Sequence, residues 1–284
     1  MNPQSILEKA LDGERIDAQE ARTLFDCPDI TLLGNIATRL HRKRTEGNGT
    51  TITYIVDRNI NYTNVCVTDC SFCAFYRKEG ATDAYVLSNE AIGKKIEEVV
   101  AIGGRQILMQ GGHNAELKID YYENLFRYIK SNFDIHLHAL SPPEIVHLSK
   151  LSHLSPEATL KRLKEAGLDS IPGGGAEILV DRVRDIISPK KCRTDQWLEV
   201  MDCAHRLDLP TTATMMFGHV ESLEDRVEHL MRLRDQQDKT GGFTAFICWP
   251  FQSGSTPLAK DIGPKNTTGW EYLKTLAIGR IVLD

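Results

Sequence analysis

The sequence has no apolar run that approaches the length of a membrane-spanning helix. It does not open on a charged-then-apolar leader, so no secretory signal is expected. Positive charge is not in excess, because 34 Lys and Arg residues face 39 Asp and Glu residues and the formal net charge is −5. Such a balance argues against general nucleic-acid binding. We therefore expect a cytoplasmic protein with no membrane span and no nucleic-acid partner.

The cysteines do not form the pattern of a disulfide framework or of a structural zinc site. There are seven of them, an odd number, and four stand singly along the chain: Cys27, Cys192, Cys203 and Cys248. A structural zinc site usually takes four ligands, often from two Cys-x2-Cys knuckles, and no second knuckle is present. Free thiols fit a reducing cytoplasm.

The other three cysteines, Cys66, Cys70 and Cys73, have the spacing Cys-x3-Cys-x2-Cys within residues 61–77. Three thiolates hold three irons of a cubane cluster and leave the fourth iron open to a ligand from outside the protein. Phe72 lies between the second and third cysteines, where its bulk can keep water from the sulfurs and tune the cluster potential. The pattern therefore indicates an iron–sulfur cluster that does chemistry on a bound molecule.

The first fifty residues favour helices. Apolar residues recur at helical spacing within 5–11, 18–24 and 30–43, and a Gly-Asn-Gly turn at 47–49 precedes a β-rich run at 51–56. We therefore predict an N-terminal helical extension over residues 1–50 and a separate core over residues 51–284.

In the core, predicted strands alternate with helices of ten or more residues. The strands are one that runs into Cys66, then 106–109, 135–140, 169–171, 211–217 and 243–249. The helices cover 89–102, 120–131, 155–166, 195–207, 223–237 and 270–283, and a further helix starts at 141–144. This alternation is typical of parallel β/α units, so we predict the α/β class and a parallel, TIM-like β/α barrel that is only partial.

The last predicted helix runs to the end of the chain, and no strand follows it. A closed eight-stranded barrel needs more chain than this. We therefore expect the core to be truncated at its C-terminal end. The alternative is that this helix closes an open six-stranded barrel.

Ligands of parallel β/α folds bind where loops leave the C-terminal ends of the strands. Two glycine-rich turns are predicted there: Gln110, Gly111 and Gly112 after the second strand, and Gly173, Gly174, Gly175 and Glu177 after the fourth. Glycine allows a ligand to approach the backbone closely. The Glu177 carboxylate is a candidate partner for a ribose hydroxyl or an amine, although it also fits the start of a helix.

Polar and aromatic side chains near the ends of other strands are candidates for binding substrate. His138 shares one face of the third strand with His136, and the remaining candidates are Thr212, His219 and Trp249. Each also has an ordinary structural explanation: a histidine satisfied by its neighbours, a threonine that favours a strand, or a tryptophan packed at the barrel rim. Both interpretations stay open.

The cysteine run resembles that of the radical S-adenosylmethionine (SAM) superfamily. The resemblance implies a β/α barrel and two cofactors. One is a [4Fe–4S] cluster held by Cys66, Cys70 and Cys73, and the other is SAM, bound at the open iron and positioned by the two glycine-rich turns. It also implies that an electron passes from the cluster to SAM, which then releases methionine and a 5′-deoxyadenosyl radical.

Further runs resemble the cyclic dehypoxanthinyl futalosine synthases of the futalosine pathway to menaquinone. They are residues 57–66, 73–77, 109–113, 135–144, 171–177, 213–219 and 249–252. The resemblance implies that the radical takes the C4′ hydrogen from the ribose of dehypoxanthine futalosine, and that the sugar radical closes a ring onto the benzoate. Candidates for removing the ring proton are His138, His219 and Glu177. A flavodoxin or ferredoxin is the expected electron donor.

Two alternatives remain open. Aminofutalosine synthase is a sister enzyme with related cysteine-rich and glycine-rich segments, and it adds the deoxyadenosyl radical to its substrate instead of abstracting hydrogen. The other alternative is a non-catalytic iron–sulfur protein, which requires a fourth protein ligand for its cluster. Free 5′-deoxyadenosine accompanies cyclisation but not addition, so product analysis separates the two enzymes.

Overall fold

The computed structural model describes residues 2–45, 52–263 and 265–283, and the chain begins with three helices. They are α1 (Pro3–Leu11), α2 (Ala18–Phe25) and α3 (Ile30–Arg44). Each begins after a side chain that accepts a hydrogen bond from the first helical turn: Asn2, Asp17 and Asp29. The helices predicted here are therefore present, with small shifts in their bounds. The predicted turn at 47–49 lies outside the described residues.

Strands and helices alternate along the rest of the chain. The strands are β1 (Asp57–Ile60), β2 (Gln106–Met109), β3 (His136–Ala139), β4 (Thr211–Phe217) and β5 (Phe243–Pro250). The helices are α4 (Asn89–Ala101), α5 (Ile119–Asn132), α6 (Pro142–Ser152), α7 (Pro156–Ala166), α8 (Asp181–Ile187), α9 (Thr194–Arg206), α10 (Leu223–Thr240), α11 (Pro257–Ile262) and α12 (Gly269–Val282). The sequence analysis does not predict α8 and α11, which are the two shortest helices described.

All paired strands are parallel, and they form two sheets, β1-β2-β3 and β4-β5. Single bridges connect the sheets: Ser170 bridges to His138 on β3, and Ile171 bridges to Thr211 on β4. The predicted strand at 169–171 contributes only these bridges, but they make the wall continuous. The five strands and the bridged segment 169–171 together form a parallel, partial barrel with six strand positions. This architecture confirms the predicted α/β class.

Two strand predictions at the start of the core are wrong. The described part of the β-rich run, 52–56, forms no strand, and the strand predicted to run into Cys66 ends at Ile60. Ile52 and Tyr54 are 88% and 85% exposed. Side chains that favour strands do so by packing against neighbouring strands, and these two have no such packing. The extended run therefore becomes a strand only at Asp57, where β2 pairs with it.

Two groups of buried apolar side chains form the core. The first group lies between the β1-β2-β3 sheet and the helices α4 to α7 and α9. The second lies between β4, α10, α12 and the N-terminal helices, and α3 packs along α12. The N-terminal helices thus share a core with the second half of the barrel. The predicted domain division at residue 50 stays a prediction.

The helices bury one side and expose the other. The longest of those described, α10, has 18 residues and buries a mixture of apolar and polar side chains. Among residues 2–45, 52–263 and 265–283, no helix combines the length and the apolar character that crossing a membrane requires.

Replacement of Leu33 by alanine tests the packing of α3 against the core. The side chain is fully buried in the second core group, and such a substitution costs about 2–5 kcal/mol because it leaves a cavity. We expect that loss in the free energy of unfolding, measured by urea denaturation. The matched control is Thr31→Ala, an exposed position in the same helix. Equal unfolding curves for the two variants would contradict the packing.

Candidate active site

The three cysteines of the loop after β1 line one cavity of about 250 Å³. Within this loop the Cys66 N–H donates to the Arg77 carbonyl (2.9 Å), and the Val67 N–H donates to the carbonyl of His113, in the loop after β2 (3.1 Å). In return, the His113 N–H donates to the sulfur of Cys66 (3.3 Å). The loops after β1 and β2 are therefore joined at the first cysteine.

Thr68 places its hydroxyl between two of the sulfurs. The Oγ1 atom lies 3.0 Å from Cys66 Sγ and 3.6 Å from Cys70 Sγ. Burial raises the pKa of the Cys70 thiol, and the nearby Lys191 and the Thr68 hydroxyl partly oppose this shift. Hydrogen bonds to sulfur are one way in which a protein sets the potential of an iron–sulfur cluster. Thr68 is thus a neighbour of the sulfurs that the sequence alone does not indicate.

The glycine-rich turn after β2 rests on a buried carboxylate. Glu144, in the first turn of α6, accepts hydrogen bonds from the Gly111 N–H (2.9 Å) and from the Tyr62 hydroxyl (2.8 Å). The backbone N–H and the hydroxyl of Ser141 both donate to its other oxygen. Burial raises the pKa of Glu144, and these donors oppose the rise. Glu144 is therefore an anchor for the turn, in addition to a cap of α6.

At one position in each glycine-rich turn, a neighbouring segment of backbone comes so close that only glycine fits. A Cβ atom on Gly112 would lie 2.2 Å from the carbonyl oxygen of Val65 in the cysteine loop. One on Gly173 would lie 2.4 Å from the carbonyl oxygen of Thr212 on β4. At these positions the missing side chain makes room for neighbouring backbone, whereas the sequence analysis explains both glycines by the approach of a ligand.

The second glycine-rich turn is fixed from two sides. On one side the Gly173 N–H donates to the Thr212 hydroxyl (2.9 Å), and the Thr214 hydroxyl donates to the Gly173 carbonyl (2.7 Å). On the other side the buried guanidinium of Arg184 donates to the carbonyl of Gly175 (3.1 Å). Side chains that do not themselves line the cavity therefore hold this part of its wall.

Glu177 and Lys191 form a buried ion pair at the cavity. Lys191 Nζ lies 2.8 Å from Glu177 Oε1, and the two side chains are 15% and 3% exposed. Lys191 also lies over the ring of Phe72, 5.1 Å from its centroid. Burial disfavours the charge on the lysine, but the Glu177 carboxylate and the Cys70 thiol outweigh it and raise the pKa of Lys191. The cavity therefore holds a buried ion pair close to the cysteines, in which the Lys191 ammonium faces the Glu177 carboxylate.

Most of the predicted site residues line this cavity. They are Cys66, Cys70, Cys73, Phe72, Gln110, Gly111, Gly112, Gly174, Gly175, Glu177 and Trp249. Four predicted residues are not part of the lining: Gly173, Thr212, His138 and His219. Gly173 and Thr212 lie behind the second turn, where they bond to each other. A direct contact of Thr212 with substrate is therefore not supported by its placement.

The two predicted histidines have partners within the protein. His219 is buried, with Nε2 at 3.0 Å from the Met216 carbonyl and Nδ1 at 3.2 Å from Glu221. Burial lowers the pKa of His219. His138 bonds to Ser170 through Nδ1 (2.6 Å), and burial lowers the pKa of His138 to about 4. The His138 ring is therefore neutral near pH 7, and the catalytic roles of both histidines stay predictions.

Lys191, His113 and Glu144 line the cavity but are absent from the predicted site. Lys191 lies in a loop between α8 and α9, without a periodic pattern that would mark it. Glu144 has the spacing of a helix cap, which it also is. The ring of His113 packs 5.1 Å from that of His147. His113 and Glu144 lie in the runs 109–113 and 135–144 that carry the resemblance, but the residue pattern offers no reason to assign either residue a role in the site.

The lining fits a cluster that leaves one iron open. Three thiols and no fourth cysteine face the cavity, together with a charged pair and two glycine-rich turns. Within the described ranges, 2–45, 52–263 and 265–283, no three His, Cys, Asp or Glu side chains stand close enough to hold a single metal ion. The donor set therefore fits a cluster with an additional ligand.

The chain matches the model of the radical SAM superfamily over residues 60–233. Cyclic dehypoxanthine futalosine synthase of Halalkalibacterium halodurans is 44% identical over 100% of this chain and 76% of the relative. The 5-amino-6-(D-ribitylamino)uracil–L-tyrosine 4-hydroxyphenyl transferase of Methanothermobacter thermautotrophicus is 43% identical over 98% of this chain and 76% of the relative. Aminodeoxyfutalosine synthase of Thermus thermophilus is 39% identical over 98% and 75%.

A solved structure shares the fold. The crystal structure of methylornithine synthase matches with a TM-score of 0.75 and 16% sequence identity, over 98% of this chain and 76% of that chain. This likeness supports the barrel architecture alone. The superfamily match and the relatives that match nearly the whole of this chain establish the family. The chain therefore belongs to the radical SAM superfamily, whose enzymes use a [4Fe–4S] cluster and SAM.

Proposed function

We propose that this radical SAM enzyme converts dehypoxanthine futalosine to cyclic dehypoxanthine futalosine, a step towards menaquinone. The observation that carries the proposal is the 44% identity, over the whole chain, with the Halalkalibacterium enzyme of that name. The cavity supports the radical chemistry, because three thiols, a charged lysine and two glycine-rich turns face one space.

Cys66, Cys70 and Cys73 would hold the cluster, and the two glycine-rich turns would position SAM beside it. When bound, the cluster and SAM together supply a 5′-deoxyadenosyl radical. Phe72 shields this group from water. Lys191 supplies positive charge next to it, which favours the negative charge of thiolates and of a bound carboxylate.

The proposed reaction closes a carbon–carbon bond within one substrate. The radical takes the C4′ hydrogen of the ribose, the sugar radical adds to the benzoate ring, and the ring then loses a proton and an electron. One SAM and one substrate give one cyclic product two hydrogens lighter, one methionine, one 5′-deoxyadenosine and one proton. No net electron is consumed, because the electron that leaves the ring replaces the one that began the cycle.

The protein's own contribution is to hold the two reacting carbons together. Orientation of this kind accounts for about 7–11 kcal/mol of a reaction barrier when the reacting atoms are fixed in near-attack geometry. Trp249 lines the cavity from β5 and offers a flat ring to the aromatic part of the substrate. We propose this as its role in binding substrate.

Radical addition is the second candidate function. The 39% identity with the Thermus aminodeoxyfutalosine synthase favours it, since that identity also extends over nearly the whole chain. In an addition reaction the deoxyadenosyl group becomes part of the product. Free 5′-deoxyadenosine formed together with the product therefore distinguishes cyclisation from addition.

The electron donor and the compartment are proposed from chemistry alone. The seven cysteines are all free thiols, as is usual in a reducing cytoplasm. A one-electron donor of the flavodoxin or ferredoxin kind fits the single-electron reduction that starts catalysis. The electron donor and the compartment both stay predictions.

The first prediction concerns the product. The enzyme is reconstituted anaerobically with iron and sulfide and given SAM, a strong reductant and dehypoxanthine futalosine. We expect 5′-deoxyadenosine in equal amount to a product two hydrogens lighter than the substrate, measured by liquid chromatography and mass spectrometry. A product that contains the adenosyl group would show that the enzyme catalyses addition and not cyclisation. SAM cleavage without loss of substrate would rule out the proposed substrate.

The second prediction concerns the cluster. Replacing any one of Cys66, Cys70 or Cys73 by alanine is expected to abolish SAM cleavage and to lower the iron content and visible absorption of the reconstituted protein, because each thiol holds one iron. Cys203→Ala is the control, since this buried cysteine lies in the core and not at the cavity. A variant of the three that retains a full cluster would remove that cysteine from the ligand set.

The third prediction concerns the buried charge. Glu177→Gln leaves Lys191 without its carboxylate partner, and breaking a buried pair costs about 3–5 kcal/mol. Asp69→Asn is the matched control, because it breaks the neighbouring Lys190–Asp69 pair, whose side chains are 59% and 34% exposed, at a cost of about 0–1 kcal/mol. Urea denaturation gives both values. Equal losses would show that the Glu177–Lys191 pair behaves as a surface pair.

A further inference from the structure

Ser170 hydrogen-bonds to two histidines of β3 at the same time. Its hydroxyl oxygen lies 2.7 Å from His136 Nε2 and 2.6 Å from His138 Nδ1. His138 and Ser170 are buried, whereas His136 is exposed. The three side chains therefore form a continuous hydrogen-bonded chain from a buried ring to a ring in contact with solvent.

The chain of hydrogen bonds lies on the inner face of the barrel. Leu137 and Ala139 of β3 belong to the core between the sheet and the helices, so the alternating positions His136 and His138 face the other way. The parallel register places His138 in one row with Leu108 of β2. The hydrogen-bonded chain is therefore inside the barrel, on the side away from the helices.

The cavity begins one row above His138. Gln110 follows Leu108 by two residues on the same face of β2, and it lines the cavity. Two residues of a strand span about 6.6 Å. His136 lies one row below His138, in register with Gln106 near the N-terminal edge of the sheet. The hydrogen-bonded chain thus runs from one row below the cavity towards the opposite end of the barrel.

The shared hydroxyl couples the protons on the two rings. A serine hydroxyl has one hydrogen, so it donates to one histidine and accepts from the other. When His138 Nδ1 donates to Ser170, Ser170 donates to His136, and the second ring nitrogen of His138, Nε2, is a free acceptor. Within residues 2–45, 52–263 and 265–283, that nitrogen has no hydrogen-bond partner and is not sealed from solvent. It is therefore available to a molecule in the barrel.

We propose that His138, Ser170 and His136 form a proton relay that removes the proton lost by the substrate ring during cyclisation. The inference rests on the proposed function. The ring C–H proton moves to Nε2 of His138, the Nδ1 proton of His138 moves to Ser170, the hydroxyl proton moves to His136, and His136 releases one proton to water. The relay carries the proton only. The electron that leaves the ring returns to the iron–sulfur cluster, so charge and electrons balance.

The surroundings of the relay favour neutral rings and an outlet to water. His138 is neutral near pH 7, because burial lowers its pKa to about 4 and His136 adds to that effect. The nearest charged groups on adjoining strands are Asp57, which accepts a hydrogen bond from Gln106 (3.4 Å), and Asp169, which is paired with Lys130. A neutral His138 is a proton acceptor, and Ser170 allows it to accept without holding a buried charge.

The test measures the ratio of 5′-deoxyadenosine to cyclic product in the reconstituted full chain. Because hydrogen abstraction precedes proton loss, Ser170→Ala is expected to keep forming 5′-deoxyadenosine while cyclic product falls by about 10²-fold, the usual contribution of acid–base catalysis. A radical on the substrate is then expected by electron paramagnetic resonance. Ser170→Thr keeps the hydroxyl and is expected to restore the ratio, whereas His136→Gln is expected to resemble Ser170→Ala.

The control is Ser149→Ala, which removes a buried hydroxyl that bonds to Thr159 between α6 and α7. It is expected to leave the ratio unchanged. If Ser170→Ala forms product in step with 5′-deoxyadenosine, or if both fall by the same factor, the relay is wrong while the cyclase activity of the wild type stands. If the wild type itself forms no cyclic product, the proposed function is wrong, and the proposed relay is then wrong as well.

Discussion

The cavity depends on buried polar side chains that satisfy the irregular backbone of its walls. A buried N–H or carbonyl without a partner costs about 1–3 kcal/mol, so loops that close a site away from water need donors and acceptors from elsewhere. Glu144 accepts from the turn after β2, and Arg184 donates to the turn that contains Gly175. The hydrogen bonds of His113 with Cys66 and Val67 then join the cysteine loop to the first turn. These few contacts bring three separate loops to one space.

The buried charges at the cavity depend on the same packing. Lys191 is buried beside the cysteines, and such a charge is tolerated because Glu177 lies within hydrogen-bonding distance. Glu177 adopts a left-handed backbone conformation, with φ of 44°, which is uncommon for residues other than glycine. The ion pair therefore helps to hold an unfavourable loop conformation in place. The buried ion pair that results is a property of the folded site and not of the acidic chain as a whole.

Most of the fold follows from local sequence patterns. Helices α4, α7 and α10 begin after Ser88, Ser155 and Ser222, whose side chains accept a hydrogen bond from the first turn. Alternation of such helices with short apolar runs indicates parallel β/α units. The described part of the β-rich run, 52–56, fails as a strand because pairing and packing decide whether a strand forms. Residues 169–171 join two sheets through single bridges, which no local pattern distinguishes from a longer strand.

The sequence by itself determined the cofactor chemistry, because Cys66, Cys70 and Cys73 lie in one short loop and their spacing is a local property. The tertiary structure decided which other side chains meet them. Lys191 reaches Glu177 across 14 positions of the chain, and His138 turns to Ser170 across 32. Such contacts depend on strand register and loop packing, which bring distant positions together according to the whole fold. For this reason the three cysteines could be proposed as cluster ligands from the sequence, whereas the partners of His138 and Lys191 could not be predicted from it.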